Sequence, residues 1–286
     1  MPDSDKFFTD ATNVPCVENA AGKWKLGLLL PKVFPNVAPK FSEVVKLYDE
    51  YELKDILGDS DRTKRRELFD PSWIKNQNGR GACNGYAGAG ALERARYLRG
   101  LTHIKLSGDG LYAAINGGRD QGSMLDDVMD WIQQHGVPPE SLVPQHEYRK
   151  NRIPKEAYEQ GERFKGFECY SVDSEPELLT GIALGFVGVV ATHVGGQYSS
   201  LDGEGISQGG NSSGNHAVGV DDAKYSTKSG QFLVDKFNSW GTNWGEQGRC
   251  YLTWDRHLKT TVKYHRFYLI RSTTDDDKDE NPPSII

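Results

Sequence analysis

Cys83, His216 and Asn238 are the residues of this chain whose types and order can carry out covalent chemistry. A neutral thiol is a modest nucleophile. An imidazole beside it draws off its proton, and an amide oxygen on the far ring nitrogen fixes the tautomer and orientation of that base. Cys83 opens a glycine-rich segment, His216 stands in Asn215-His216-Ala217, and Asn238 begins the stretch Asn238-Ser239-Trp240-Gly241-Thr242-Asn243-Trp244-Gly245-Glu246. Brought together, they would form a nucleophile, its base and the group that orients the base. Such a site attacks a carbonyl carbon and passes through a thioester.

The elements that must position these residues change character along the chain. Residues 83–98 are predicted helical, with Leu92, Ala95 and Leu98 at helical spacing. Gly85, Gly88 and Gly90 weaken the propensity there and point to close packing against a neighbouring element. Residues 123–134 read as a second helix, with Leu125, Val128, Met129 and Ile132 on one face. The second half is different. Residues 186–191, 217–220, 231–237, 249–253 and 266–270 are short apolar or alternating runs between Gly, Ser and Asp turns, and read as strands. Helices first and strands later imply an α+β architecture with two segregated lobes.

Ahead of this lies an extension, residues 1–69. Its first forty positions are rich in Pro and Gly, and residues 41–57 then carry apolar side chains at the spacing of one amphipathic helix. The basic cluster Arg62-Thr63-Lys64-Arg65-Arg66 reads as a solvated linker, with a processing site as the sharper alternative. Residues 273–286, acidic and then Pro-rich, read as a disordered tail. The thiol chemistry is thus expected within residues 70–272.

A formal charge of −6 and an isoelectric point near 5.7 argue against a nucleic-acid or anionic-membrane partner. No apolar run approaches the length of a bilayer span, and residues 26–30 do not make a signal peptide. The expected location is cytoplasmic, or virion-associated on the resemblance described below. Cys16, Cys83, Cys169 and Cys250 are too scattered for a disulfide framework, and no pair of them has metal-ligand spacing. Thiol chemistry of this kind needs no cofactor, and none is expected.

Three blocks carry a family resemblance. Gln77 lies six residues before Cys83 in a segment that includes Gly81, Ala82 and, further on, Glu93; Asn215-His216-Ala217 and Asn238-Ser239-Trp240-Gly241 follow. Together they resemble the nucleophile region, the histidine strand and the asparagine motif of papain-like cysteine peptidases. The resemblance implies a two-lobe fold, helical in its N-terminal lobe and β-barrel-like in its C-terminal lobe, with the active-site cleft between. It implies that Cys83, at a helix N-terminus, is a thiolate paired with the His216 imidazolium. Asn238 would accept from the His216 ring, and Trp240 would cover that bond. Gln77 would donate to the oxyanion beside the Cys83 N–H, a contact worth about 3–4 kcal/mol in the transition state. Gly122 would lie alongside an extended substrate, and Met124 and Ala217 would line an apolar pocket. A polypeptide is the implied substrate. The other histidines lack the flanking pattern, and His193 is the one decoy among them.

The chain also departs from the family. Asn84 replaces the aromatic residue that follows the nucleophile, Arg80 and Arg119 stand where secreted members carry disulfide cysteines, and Gln121 replaces a loop glycine. The extension lacks the long helical signature of the usual inhibitory propeptide. It can be a propeptide, an integral part of the fold or a docking arm. A structural or virion-assembly component that keeps the fold with restricted activity is the alternative function, with the extension or the acidic tail as its docking element. A cell-wall or isopeptide hydrolase is a third reading, disfavoured by the Asn-Ser-Trp-Gly block.

Overall fold

The computed structural model describes residues 5–32, 36–58, 65–210 and 212–271. Positions 59–64, which include the first part of the basic cluster, and the acidic tail lie outside the described residues.

Small side chains let the nucleophile helix run through the middle of the molecule. A Cβ at Gly85 would stand 2.5 Å from the Gly108 carbonyl oxygen, and one at Gly88 would stand 2.5 Å from a Val128 methyl. The helix Cys83–Leu98 (α4 in chain order) therefore packs directly on Gly108–Ile115 (α5) and Leu125–His135 (α6), as the glycine pattern predicts. These helices form the first lobe.

The second lobe is a six-stranded antiparallel sheet in the order β4-β9-β5-β6-β7-β8. Its strands are Cys169–Val172 (β4), Val187–Thr192 (β5), His216–Ser226 (β6), Gln231–Phe237 (β7), Arg249–Leu252 (β8) and Phe267–Ile270 (β9). Among the described residues β4 and β8 are its two edges, so the sheet is open and does not close into the expected barrel. The helix Glu175–Ala183 (α8) packs on β5 and β6, and Lys155–Gly161 (α7) precedes β4. Four strands match the predicted runs to within one residue, and the fifth, β6, runs six residues beyond the predicted 217–220; β4 and the helices α5, α7 and α8 carried no assignment in the sequence reading.

The extension differs most from expectation. Lys6–Thr9 (β1), Pro15–Asn19 (β2) and Gly22–Lys25 (β3) form a separate three-stranded antiparallel sheet. The single helix predicted over residues 41–57 is broken into Phe41–Val44 (α1) and Glu50–Gly58 (α2). A capping box causes the break: Asp49 Oδ1 accepts the Glu52 N–H at 2.9 Å, and Glu52 Oε2 accepts the Asp49 N–H at 2.8 Å. The Tyr48 N–H just before it is taken by Thr180 Oγ1 on α8.

Nor is the basic cluster solvated where it is described. Arg65 begins the short helix Arg65–Leu68 (α3); it is buried, its N–H donates to Asp222 and its guanidinium donates to the Asp221 carbonyl. Arg66 makes a bidentate pair with Asp235. These arginines belong to a buried charge network that joins the lobes. Val220 pairs with Lys236 and Asp222 with Asp235, so Asp221 is the extra residue of a β-bulge in β6. Its carboxylate receives Arg94 Nε of α4 at 2.9 Å and both terminal nitrogens of Arg249 on β8.

Removing Asp221 would leave two buried guanidinium groups without their shared counter-charge. Asp221→Ala is expected to cost about 3–5 kcal/mol, read as a fall in the urea midpoint of full-length protein.

Candidate active site

α4 and β6 bring the sequence-predicted residues to one place. Cys83 is the first residue of α4 and His216 the first of β6. The backbone N–H of Ala217, the residue after His216, is near enough to the cysteine to favour its thiolate. His216 Nε2 lies 2.8 Å from Asn238 Oδ1, just beyond the end of β7. The same Asn238 atom accepts the Ser239 N–H at 2.9 Å, which identifies it as the amide oxygen. The histidine proton therefore sits on Nε2, leaving a lone pair on Nδ1. His216 Nδ1 is buried and has no hydrogen-bond partner.

Trp240 lies over this pair, its ring centroid 4.8 Å from that of His216. Behind it Trp244 meets it edge-on, and Lys236 reaches under Trp244 to donate to the Tyr198 hydroxyl at 2.7 Å. Burial pulls Lys236 down to about 8. Gln77 is fully buried. Its Oε1 accepts from Ser239 Oγ at 2.6 Å and its N–H donates to the Ser239 carbonyl, so the asparagine motif also holds Gln77 in place. Its amide nitrogen donates to the Arg80 carbonyl and, at 3.2 Å, to the Lys25 carbonyl.

That last contact exposes what the sequence reading missed. Residues 25–29, following β3, pass through the cleft as a strap. Gly27 meets Gly81 and Gly122 backbone to backbone; a Cβ on Gly27 would stand 1.9 Å from the Gly81 oxygen, and one on Gly122 would stand 2.2 Å from the Gly27 oxygen. Gly122 has φ of +97°. The Ser123 N–H donates to Gly27 O and the Leu29 N–H to Ser123 O, each at 2.9 Å, while the Leu28 N–H donates to Asn215 O at 3.3 Å. The strap thus pairs in parallel with the glycine-rich loop, and the Gly27 N–H points at the Cys83 sulfur. Trp24 stacks on Trp240 with centroids 4.7 Å apart and planes 15° from parallel.

The strap changes the electrostatics. Burial pushes the Cys83 thiol up to about 11, against the pull of the Ala217, Gly27, Asn84 and Cys83 N–H groups. Burial also drives His216 down to about 3, with Asn238 opposing and Lys236 assisting. In the closed chain burial thus works against both charged forms of the thiolate–imidazolium pair that the family resemblance implies. The reason is desolvation.

Two departures from the family acquire roles. Asn84 Nδ2 donates to the Ser123 carbonyl and hydroxyl, tying the glycine-rich loop to α4. Arg80 is buried and pairs with Asp109 at 2.7 Å, an ionic crosslink at a position where secreted members use a disulfide. Arg119 is exposed. All four cysteines are free and buried, and His193 takes no part in the site. Ala217 is fully buried and Met124 half-buried beside the loop, with the strap where a pocket would open. Among the described residues no group of histidine, cysteine and carboxylate side chains could hold a metal ion.

Comparison with known proteins agrees with this arrangement. A profile described as papain family cysteine protease matches residues 61–269, and the chain belongs to that family. Xylellain, a cysteine protease from Xylella fastidiosa, superposes with a TM-score of 0.64 at 18% identity over 86% of this chain and 95% of its own. The proform of the ragweed pollen cysteine protease Amb a 11 gives 0.61 at 22% over 81% and 68%. Bromelain from Ananas comosus with the E64 inhibitor gives 0.55 at 20% over 75% and 98%. At these identities the likeness is one of fold. No curated protein matches the chain.

Because a Cβ at Gly27 cannot share space with Gly81, Gly27→Ala is expected to expel the strap. Alkylation of Cys83 should accelerate at least tenfold. Water re-entering the cleft lowers the thiol from about 11, so thiolate absorbance at 240 nm, taken against Cys83→Ala, should appear at a lower pH than in the parent protein.

Proposed function

We propose that this cysteine peptidase is an endopeptidase held latent by its own residues 25–29, with Cys83 as nucleophile and His216 as base. The observation that carries this reading is the oriented imidazole: His216 Nε2–H is fixed on Asn238 Oδ1 at 2.8 Å, and its free Nδ1 lone pair is buried beside the thiol helix. In the open cleft Cys83 passes its proton to His216 Nδ1 and attacks the scissile carbonyl. His216 then protonates the leaving amine, and the thioester forms. A water enters, His216 takes its proton, and hydroxide attack on the thioester returns the thiol and releases the acid.

Gln77 supplies a donor to the oxyanion. One hydrogen of its amide already rests on a carbonyl oxygen, that of Lys25, and the incoming substrate carbonyl takes that place. The Cys83 N–H is the companion donor. Gly122, Met124 and Ala217 form the wall along which an extended substrate lies, and Trp240 keeps water from the His216–Asn238 bond. Residues 1–69 act as the regulatory segment and 70–272 as the peptidase unit.

The closed cleft also favours the second reading, a component of an assembly whose activity is restricted until a partner removes the strap from the site. Both readings require a competent thiol.

Full-length protein and Cys83→Ala are to be incubated with an irreversible epoxysuccinyl inhibitor, and intact masses recorded. One adduct on the parent and on Gly27→Ala, none on Cys83→Ala, is the expected result. A shortened chain in the parent alone would add self-processing. An unlabelled Gly27→Ala protein would overturn the catalytic reading.

A further inference from the structure

We propose that Asp120 is a specificity-determining residue, selecting lysine or arginine as the residue that supplies the scissile carbonyl. The inference rests on the peptidase reading above and deepens it. It comes from one residue of the strap that touches the site at two points. The Lys25 carbonyl oxygen lies 3.2 Å from Gln77 Nε2, the donor assigned to the oxyanion. The Lys25 ammonium lies 2.9 Å from Asp120 Oδ2 on the glycine-rich loop. A residue whose carbonyl meets the Gln77 amide can therefore reach Asp120 with a long basic side chain. The strap demonstrates the reach.

Asp120 is built for this contact. Its Oδ1 is committed to the protein, accepting the Gly81 N–H at 2.9 Å and the Tyr112 hydroxyl at 3.1 Å. Those bonds fix the carboxylate plane and leave Oδ2 facing the strand in the cleft. The Asp120 backbone oxygen accepts from Lys25 Nζ at 3.3 Å, so the loop offers a cation two acceptors. The side chain is 15% exposed, and a carboxylate so shielded from water gains from a partner. Burial lowers Lys25, yet Asp120 and Asp10 together raise it above its ordinary value. Asp10, the second carboxylate on Lys25 at 3.0 Å, belongs to the extension and is withdrawn when the strap leaves. Among the described residues Lys25 is the cation paired with Asp120, so an open cleft presents an uncompensated carboxylate oxygen on the glycine-rich loop. A basic substrate side chain restores the pair.

The test uses full-length protein and three peptidyl chloromethyl ketones that differ only in carrying lysine, ornithine or norleucine next to the reactive group. All react with the same open state, so the ratio of their rates at Cys83 is independent of how much protein is open. The lysine probe is expected to outrun the norleucine probe by about ten- to a hundredfold. Asp120→Asn keeps an oxygen for Gly81 and Tyr112 but loses the charge, and should bring the ratio close to one. Asp120→Glu carries the test if the Asn variant fails to fold: the carboxylate moves out by one methylene, and the preference should shift from lysine towards the shorter ornithine. A parent ratio near one, or a ratio unchanged in both variants, overturns the proposal while leaving the peptidase reading intact. Absence of labelling by every probe and by the epoxysuccinyl reagent, in Gly27→Ala as well, overturns both.

Discussion

Exclusion of water from the space between Cys83 and His216 is the constraint on which the state of this molecule depends. A thiolate and an imidazolium attract one another, but each must be solvated or hydrogen-bonded to exist at all. In the closed chain Cys83 is fully buried with the Gly27 backbone N–H beside it, Trp240 covers the imidazole, and Trp24 stacks on Trp240. Four neighbouring N–H groups, two of them at the helix terminus, favour the thiolate, yet desolvation outweighs them. The chemistry is thus controlled by a few residues of backbone that decide whether water reaches a pair whose geometry is already set.

The placing of Cys83 and His216 has to be held from both lobes, because Cys83 comes from the helical lobe and His216 from the sheet. The lobes are joined by charge as well as by apolar packing. Asp221, turned towards α4 by a β-bulge, gathers Arg94 from the helix and Arg249 from the sheet. Asp235 takes Arg249 and, from the segment before the peptidase helices, Arg66. Such a network gives little net stability relative to an apolar core, but it is directional, and it fixes the register of α4 against β6. A second staple acts nearer the chemistry. Ser239 holds Gln77 through both backbone and side chain, so the two halves of the oxyanion and imidazole machinery cannot drift independently.

How much of this was legible depended on how local each signal was. Cys83, Gln77, His216 and Asn238 were readable because each stands in a short block whose neighbours constrain it, and α4 because its glycines announce close approach. The helix break at residues 45–49 was also local, since Asp49 and Glu52 form a capping box, but the apolar spacing on either side masked it. Arg65 and Arg66 look like solvated charges in a linear reading; only the fold places Asp222 and Asp235 opposite them. The strap was hidden for a different reason. Its essential feature is Gly27, whose lack of a side chain matters solely because Gly81 and Gly122 meet it from distant parts of the chain. No periodicity can report that. Ser239 and Asn84 lay inside recognised blocks, yet their partners, Gln77 and Ser123, become evident only in three dimensions.

A segment that blocks a peptidase by lying in its cleft must bind as a substrate binds without reacting as one does. This strap meets the site at two points, a carbonyl on the Gln77 amide and a cation on Asp120, the positions proposed above for a substrate. At the thiol it differs. The group directed at the Cys83 sulfur is the Gly27 N–H, a donor that stabilises the sulfur in place rather than an electrophile that consumes it. The parallel pairing with Ser123 is consistent with this, because it sets which backbone groups of residues 27–29 face the loop and which face the nucleophile. Affinity and inertness therefore come from different parts of the same short strand. The side chains of Trp24 and Lys25 hold it in the cleft, and the backbone direction through Gly27 keeps it from being cut there.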